Sequence, residues 1–455
     1  MCERDASSIR SEPVGWPAGR GTRRASARKL RVALGQLQST VTEQRATIEA
    51  RLLDAVTQAA ARDGVAALRV ERVLSASEVS RASFYQYFTS VDECFLDAYR
   101  LHAAALVGEV SSAVRCAGDP SVAALEALVE TAVSRPEAAR LLMVEGLAAG
   151  PRGLSERQAL IAAIGELVEA SPGDAKVERP TMPLIGATMR YLAMRLAAGG
   201  VERDVAGDVR DWAASFASAE DPWRLRLDGS GNAPGQMSEP PSPATFGAPG
   251  EGSPRERVLR AAAACVCSQG YRACQVTDVA SAAGVSRRFF YNQFEDKRAA
   301  VLAAYEHAFE RLLAGCAPAF FAPGAWEDRL WQAWLEFARF FAREPVYAHL
   351  GFGQTYALGP AFAPRIEEFH LAFTWFLDGR HHDSPSDAAG PQARSALTAA
   401  AVAELAFQSL WQGAAIQMLA LSPIVMRVIL TPFVGPEHAR AFVESKLHDH
   451  RERVA

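Results

Sequence analysis

Residues 255–306 of this 455-residue chain run RERVLRAAAACVCSQGYRACQVTDVASAAGVSRRFFYNQFEDKRAAVLAAYE. Apolar side chains recur at helical spacing as far as Gly270, where a left-handed cap suits glycine. A short second helix is predicted at about residues 277–283, and Gly284 makes the turn after it. Ser286 is placed to cap a third helix through its side-chain oxygen. Two short helices joined by a glycine-containing turn are typical of a helix-turn-helix.

The predicted third helix, about residues 286–294, has two different faces. Phe290 and Phe294 lie at i and i+4 and are predicted to be buried, whereas the opposite face is cationic and polar. Such a face suits DNA, because guanidinium groups pair with phosphates or guanine edges and amides can reach bases. The DNA-binding residues predicted in this segment are Thr277, Arg287, Arg288, Phe289, Tyr291, Asn292 and Lys297.

The same pattern occurs twice in the chain. A shift of 206 residues lays residues 51–99 on 257–305 without a gap and gives 18 identical pairs. A shift of 209 then pairs Pro136 with Pro345, and the Gly150-Pro151 step with Gly359-Pro360. A repeat of this length in constant order indicates duplication of a whole module.

The repeated segment resembles the TetR family of transcription regulators. The matching motifs are Gly270-Tyr271, Val279-Ala280, Ala283-Gly284-Val285-Ser286, Tyr291-x-x-Phe294 and Lys297. The resemblance implies an all-α fold with two tandem units. In this family a three-helix DNA-binding head continues through a fourth helix into a helical body, which binds a small ligand and dimerises through its last two helices.

The first copy of the pattern departs from the second at the turn. Glu78 replaces the turn glycine, Val91 replaces Lys297, and Arg72 replaces Asp278. A residue other than glycine at positive φ costs about 1 kcal/mol, and a carboxylate near phosphates is repelled. Two interpretations stay open: a reader of a different half-site, or a degenerate head kept for its fold. The DNA-binding residues predicted here are Arg81, Ser83, Tyr85 and Gln86.

Composition and spacing divide the chain into six segments. The stretch before the first head is basic and aperiodic, and is either a solvated tail or an arm for the minor groove. Gly, Pro and Ser dominate the region between the two units, which indicates a flexible linker. The predicted segments are a basic arm (1–44), a first head (45–100), a first body (101–222), a linker (223–254), a second head (255–311) and a second body (312–455).

Aromatic residues are concentrated in the second body. Helical spacing places most of them in the core, and some could line an apolar effector pocket. The first body is aliphatic instead, so any ligands of the two bodies are expected to differ. The predicted pocket residues are Trp331, Trp334, Phe337, Phe341 and Phe373.

Several classes of site and location are excluded by the sequence. Cys265 and Cys267 lie two apart on a predicted helix, which suits neither zinc nor a redox pair, so reduced thiols and a cytoplasmic protein are expected. No histidine array, phosphate loop or nucleophile elbow is present, so no metal, cofactor or catalytic residue is predicted. The apolar run 398–421 carries Glu404, Gln408 and Gln412 as a polar stripe, which favours a bundle helix over a membrane span.

These patterns predict a transcription regulator that binds a double-stranded DNA operator and is released by a small apolar effector. The alternative is an effector-binding or scaffolding protein whose first head has lost DNA binding. The family pairs its bodies, so we expect either a homodimer or an intramolecular pseudo-dimer of one chain. The helices expected to pair are 181–198, 205–217, 396–421 and 424–447. The net charge of −4 means that local basic patches must bind the DNA.

Overall fold

The computed structural model describes residues 46–171, 180–217, 252–354, 358, 362–378, 390–411 and 418–454. Within these ranges the regular elements are helices and no strand occurs, which confirms the predicted all-α class. None of the helices described there is long and apolar enough to cross a membrane. The predicted basic arm, and the linker apart from residues 252–254, lie outside the described residues. The described residues from Leu53 onward form one compact unit.

The described helices before the linker begin at residue 46. A 3₁₀ turn, Val65–Ala67, follows the first helix, and a π-helical turn, Leu141–Glu145, follows the sixth. The helices are α1 (46–63), α2 (Val70–Ser77), α3 (Arg81–Tyr87), α4 (Val91–Arg115), α5 (Pro120–Ser134), α6 (Pro136–Arg140), α7 (Gly146–Ala148), α8 (Gly150–Ala170), α9 (Thr181–Ala198) and α10 (Val205–Ala214).

The helices after the linker follow a similar order. A π-helical turn, Leu350–Gln354, again follows a short helix that begins with proline. The helices are α11 (Pro254–Gln269), α12 (Val276–Ala282), α13 (Arg287–Gln293), α14 (Lys297–Phe320), α15 (Trp326–Arg343), α16 (Pro345–His349), α17 (Ala363–Asp378), α18 (Gly390–Trp411), α19 (Ser422–Val434) and α20 (Pro436–Val454).

Local sequence accounts for many of the helix ends. Ser253 and Glu256 form a capping box at the start of α11, each side chain accepting from the other residue's backbone N–H. Asp119 caps α5 in front of Pro120, which suits the first helical position because it lacks an N–H. At the other end, Gly270 terminates α11 with φ 81°. These caps satisfy backbone groups that a helix end would otherwise leave unpaired.

Helices from before and after the linker share one core. Helix α9 packs along α18, and α10 also contacts α18. The indole Nε1 of Trp212 donates to Thr398 Oγ1 at 3.1 Å, and both residues are buried. These contacts join sequence segments that the linker separates.

Two expectations need correction. The helix predicted at 396–421 includes most of α18, Gly390–Trp411, but residues 419–421 form a turn, and residues 412–417 lie outside the described residues. The helix predicted at 424–447 is divided into α19 and α20 by Gly435 at φ 84°. Cys265 forms a disulfide with Cys274, contrary to the expected reduced thiol. The chain reverses after Gly270 and brings Cys274 back beside α11, a contact that the Cys265–Cys267 spacing could not indicate.

Candidate nucleic-acid interface

Helices α12 and α13 form the helix-turn-helix of the second head. Gly284 in the turn has φ 63°, which only glycine adopts without cost. Ser286 Oγ accepts from the Phe289 N–H at 3.1 Å and caps α13, as its position in the sequence predicts. Phe290 and Phe294 are buried against the head, so the orientation of α13 is fixed by packing.

The opposite side of α13 is open to solvent. Arg287, Arg288 and Asn292 are exposed, and Tyr291 is 50% exposed. Neither Arg287 nor Arg288 forms an ion pair with another described residue, so both guanidinium groups are available to a ligand. Thr277, at the start of α12, is also exposed, whereas Phe289 is half-buried. The arrangement can present cations and hydrogen-bonding groups to a DNA groove.

Lys297 has partners within the second head. Its Nζ donates to the carbonyl oxygens of Tyr271 at 2.6 Å and Cys274 at 2.7 Å, and lies 4.4 Å from the centre of the Tyr271 ring. Burial lowers the pKa of this lysine. The sequence predicts that Lys297 binds DNA, and the structure shows in addition that its side chain holds the loop between α11 and α12.

The same loop contacts the first head. Arg272 donates to the Asp92 carboxylate at 2.8 Å and to the backbone carbonyl of Leu68 at 3.0 Å. Sequence reasoning missed Arg272, because the equivalent position in the first head is Ala66 and the repeat carries no matching signal. The ion pair is partly exposed, so its contribution is to position the two heads more than to stabilise the fold.

The first head has the same three-helix pattern with a different turn. Glu78 takes the place of the turn glycine and has φ 53°, the left-handed conformation that its position predicts. Ser80 caps α3 by accepting from the Ser83 N–H at 3.1 Å. Phe84 and Phe88 are buried like their counterparts in the second head.

The solvent-facing side of α3 offers less positive charge to a ligand than the same side of α13. Tyr85 and Gln86 are exposed, and Ser83 is half-buried. Arg81 is held in an ion pair by Glu71, which stands at the position of Thr277 in the second head. Hydrogen bonding within the helix and from Arg81 lowers the pKa of Glu71, which keeps this carboxylate charged. Sequence reasoning had not singled out Glu71, although the 206-residue shift places it opposite Thr277.

An apolar cavity lies in the second body. Its volume is about 40 Å³, enough for little more than a solvent-sized group. Of the five predicted pocket residues, Trp334, Phe337 and Phe373 line it. Trp331 and Phe341 do not: Trp331 packs against Phe442 and Phe341 against Phe352. The sequence did not predict the side of the cavity that α14 forms, because only one of the residues there is aromatic. These residues are Phe309, Leu312, Leu313 and Cys316.

The described residues hold no group of three or more His, Cys, Asp or Glu side chains that could bind a metal ion. The exposed face of α13 offers Arg and Tyr side chains. They suit binding to a polyanion.

Comparison with known proteins agrees with this geometry in one segment. Residues 258–304 match the family profile TetR_N, "Bacterial regulatory proteins, tetR family". This segment contains α12, α13 and the residues on the exposed face of α13. The match supports a tetR-type DNA-binding domain over these residues.

Comparison with curated proteins gave no significant match. Among solved structures, the fatty acid degradation regulator FadR from Bacillus halodurans is similar at 16% sequence identity. The similarity covers 41% of this chain and 97% of that chain, with a TM-score of 0.36. A score this low does not establish a common arrangement of the helices.

Proposed function

We propose that the chain is a transcription regulator whose second head supplies most of its affinity for an operator. The observation that carries this proposal is the exposed face of α13, where Arg287 and Arg288 are free of ion pairs within the described chain. The tetR-family match over residues 258–304 supports the same assignment. By analogy with that family, the regulator is a repressor that an effector releases.

The proposal includes two tandem units in one chain. The support is that the helices recur in the same order, and that the π-helical turns begin at Leu141 and Leu350, separated by the 209 residues of the sequence shift. We further propose that the units pair within the chain as a pseudo-dimer. The packing of α9 on α18 and the Arg272–Asp92 ion pair favour this arrangement.

The first head reads a different half-site and binds it more weakly. Glu71 holds Arg81, and Ala82 stands where the second head has Arg288. Glu78 adds a further carboxylate at the turn. These differences predict an operator that is an imperfect palindrome, since half-site symmetry mirrors protein symmetry. Glu71 also favours the alternative that this head has lost DNA binding.

DNA binding is tested with the Arg288→Ala variant of the full chain. Its affinity for the DNA upstream of its own gene is measured by gel shift at several salt concentrations. If Arg288 contacts a base edge, the loss should be about 1–3 kcal/mol. Arg339→Ala removes a half-exposed arginine, paired with Glu336, from α15 of the second body and serves as the control. Equal affinity of wild type and Arg288→Ala would contradict the proposed interface.

The effector is proposed to be a small apolar compound that enters the second body between Trp334 and Phe373. The cavity there is small, so ligand binding must spread its walls, and such a change in the body can alter the spacing of the heads. Hydrophobic compounds are screened for an increase in melting temperature together with a loss of DNA affinity. Ala333→Leu, which fills the cavity, should abolish both effects.

A further inference from the structure

A buried cluster of charges joins the two halves of the chain. Glu404 of α18 accepts from Arg157 Nη1 of α8 at 2.8 Å and from Arg157 Nη2 at 2.9 Å. The Nε of Arg190, on α9, lies 3.3 Å from the same carboxylate. The two arginines thus come from before the linker and the glutamate from after it.

The cluster is sealed from water. Arg157 and Glu404 are fully buried, and Arg190 is 2% exposed. The ring of Phe407, one helical turn from Glu404, lies below both guanidinium groups at 5.9 and 5.6 Å from its centre. Burial raises the pKa of the Glu404 carboxyl, but the charges of Arg157 and Arg190 outweigh this effect and lower it to about 2.

The backbone of α9 leaves room for this arrangement. A side chain at Gly186 would collide with the Glu404 carboxylate, so a glycine at this point lets the carboxylate approach the helix. The surface of the first half therefore has both the shape and the positive charge to receive an acidic side chain.

Pairing of like halves would separate Arg157 and Arg190 from the Glu404 carboxylate. Helix α9 contains no acidic residue along its whole length, so a second α9 in place of α18 would bring no carboxylate to Arg157 and Arg190. A second α18 would bring another Glu404, and the one basic residue of that helix, Arg394, lies ten residues away, about 15 Å along the axis. A buried charge without its partner is strongly destabilising.

We propose that Arg157, Arg190 and Glu404 form a charge code that lets the α8–α9 surface pair with the α18 surface and excludes pairing of like halves. The partner that fits each surface is the other half of this chain. The proposal deepens the pseudo-dimer of the proposed function and rests on it. It assigns the cluster a role in choosing the partner, which an apolar contact of the same shape would lack.

Three full-length proteins and a control test the code. Glu404→Gln removes the negative charge that the two buried guanidinium groups share and is expected to lower the melting temperature sharply. Because that variant could fail to fold, a triple variant, Arg157→Met/Arg190→Met/Glu404→Leu, replaces the cluster by apolar side chains of similar volume, a change that buried ion clusters can tolerate. The control, Arg210→Met/Glu126→Leu, removes an exposed ion pair between α10 and α5.

Mass is measured by light scattering over a range of concentrations. Wild type and control are expected near 49.0 kDa, and the triple variant should fold and show a further, larger species that grows with concentration as like halves pair. A triple variant with the wild-type mass throughout would overturn the charge code, and so would one that does not fold, since the cluster would then serve stability alone. Wild type near twice 49.0 kDa would instead contradict the pseudo-dimer, and the code would still be judged by comparing the triple variant with wild type.

Discussion

The carboxylate of Glu145 accepts a hydrogen bond of 2.7 Å from the backbone N–H of Val65. Glu145 ends the π-helical turn of the first body, and Val65 opens the 3₁₀ turn after Gly64 in the first head. Glu145 is 3% exposed, and Arg140 Nε lies 3.6 Å from its other oxygen. One buried carboxylate therefore links the head of this half to its body.

The link between Glu145 and Val65 should make stability depend on pH. Burial raises the pKa of Glu145 from 4.5 to about 7, although the Val65 hydrogen bond and Arg140 act in the opposite direction. The folded state thus binds more protons than the unfolded state between these two values, and the free energy of unfolding should fall as pH rises through this window. Glu145→Gln should remove the fall, so relative to wild type it gains up to about 3 kcal/mol between about pH 5 and about pH 8.

Urea unfolding across this pH range checks the prediction. Glu166→Gln, which neutralises an exposed glutamate on α8, should show the same dependence of the free energy of unfolding on pH as the wild type. If Glu145→Gln also kept the wild-type pH dependence, a group other than Glu145 would be responsible for it.

The turns of the two heads should respond oppositely to exchange of their residues. Glu78 and Gly284 have nearly the same left-handed φ, 53° and 63°. A Cβ at position 284 would meet nothing within 4 Å, so the effect of a side chain there is one of backbone conformation. We expect Gly284→Ala to lower the free energy of unfolding by about 1 kcal/mol, and Glu78→Gly to raise it by up to about the same amount. Denaturant unfolding measures both, and changes of the same sign would contradict the prediction.

Removal of Glu71 should improve DNA binding by the first head. Glu71→Thr restores the residue type of the second head and frees Arg81 from its ion pair. We expect tighter DNA binding and a steeper dependence of affinity on salt. The slope of log affinity against log salt concentration should steepen by about 0.9 for each phosphate newly contacted. Gel shifts over a salt series measure this slope. The control is Glu126→Thr, which breaks an ion pair in the first body. An unchanged slope would favour a first head that no longer binds DNA.

The sequence predicts those parts of the fold and site that depend on neighbouring residues. The Ser286 cap, the left-handed turns at Gly284 and Glu78, and the burial of Phe290 follow from local spacing and backbone sterics. The cluster at Glu404 could not be derived this way. Its two arginines lie 247 and 214 residues away in sequence, and only tertiary packing brings them together.

The role of Lys297 illustrates the same limit, because its carbonyl partners are 26 and 23 residues away. An ammonium group that donates two hydrogen bonds to loop carbonyls stabilises the loop, and a hydrogen bond to a charged group is worth about 1.5–3 kcal/mol.

Lys297→Met should therefore lower the stability of the second head and weaken binding to all DNA sequences alike. The slope of affinity against salt should stay the same if Lys297 only holds the loop, whereas it should fall by about 0.9 if Lys297 also neutralises a phosphate. Arg298→Met, at the exposed neighbouring position, is the control for loss of charge. Thermal unfolding and a salt series together distinguish the two roles, and a variant with wild-type stability would exclude the loop contact as the reason for this lysine.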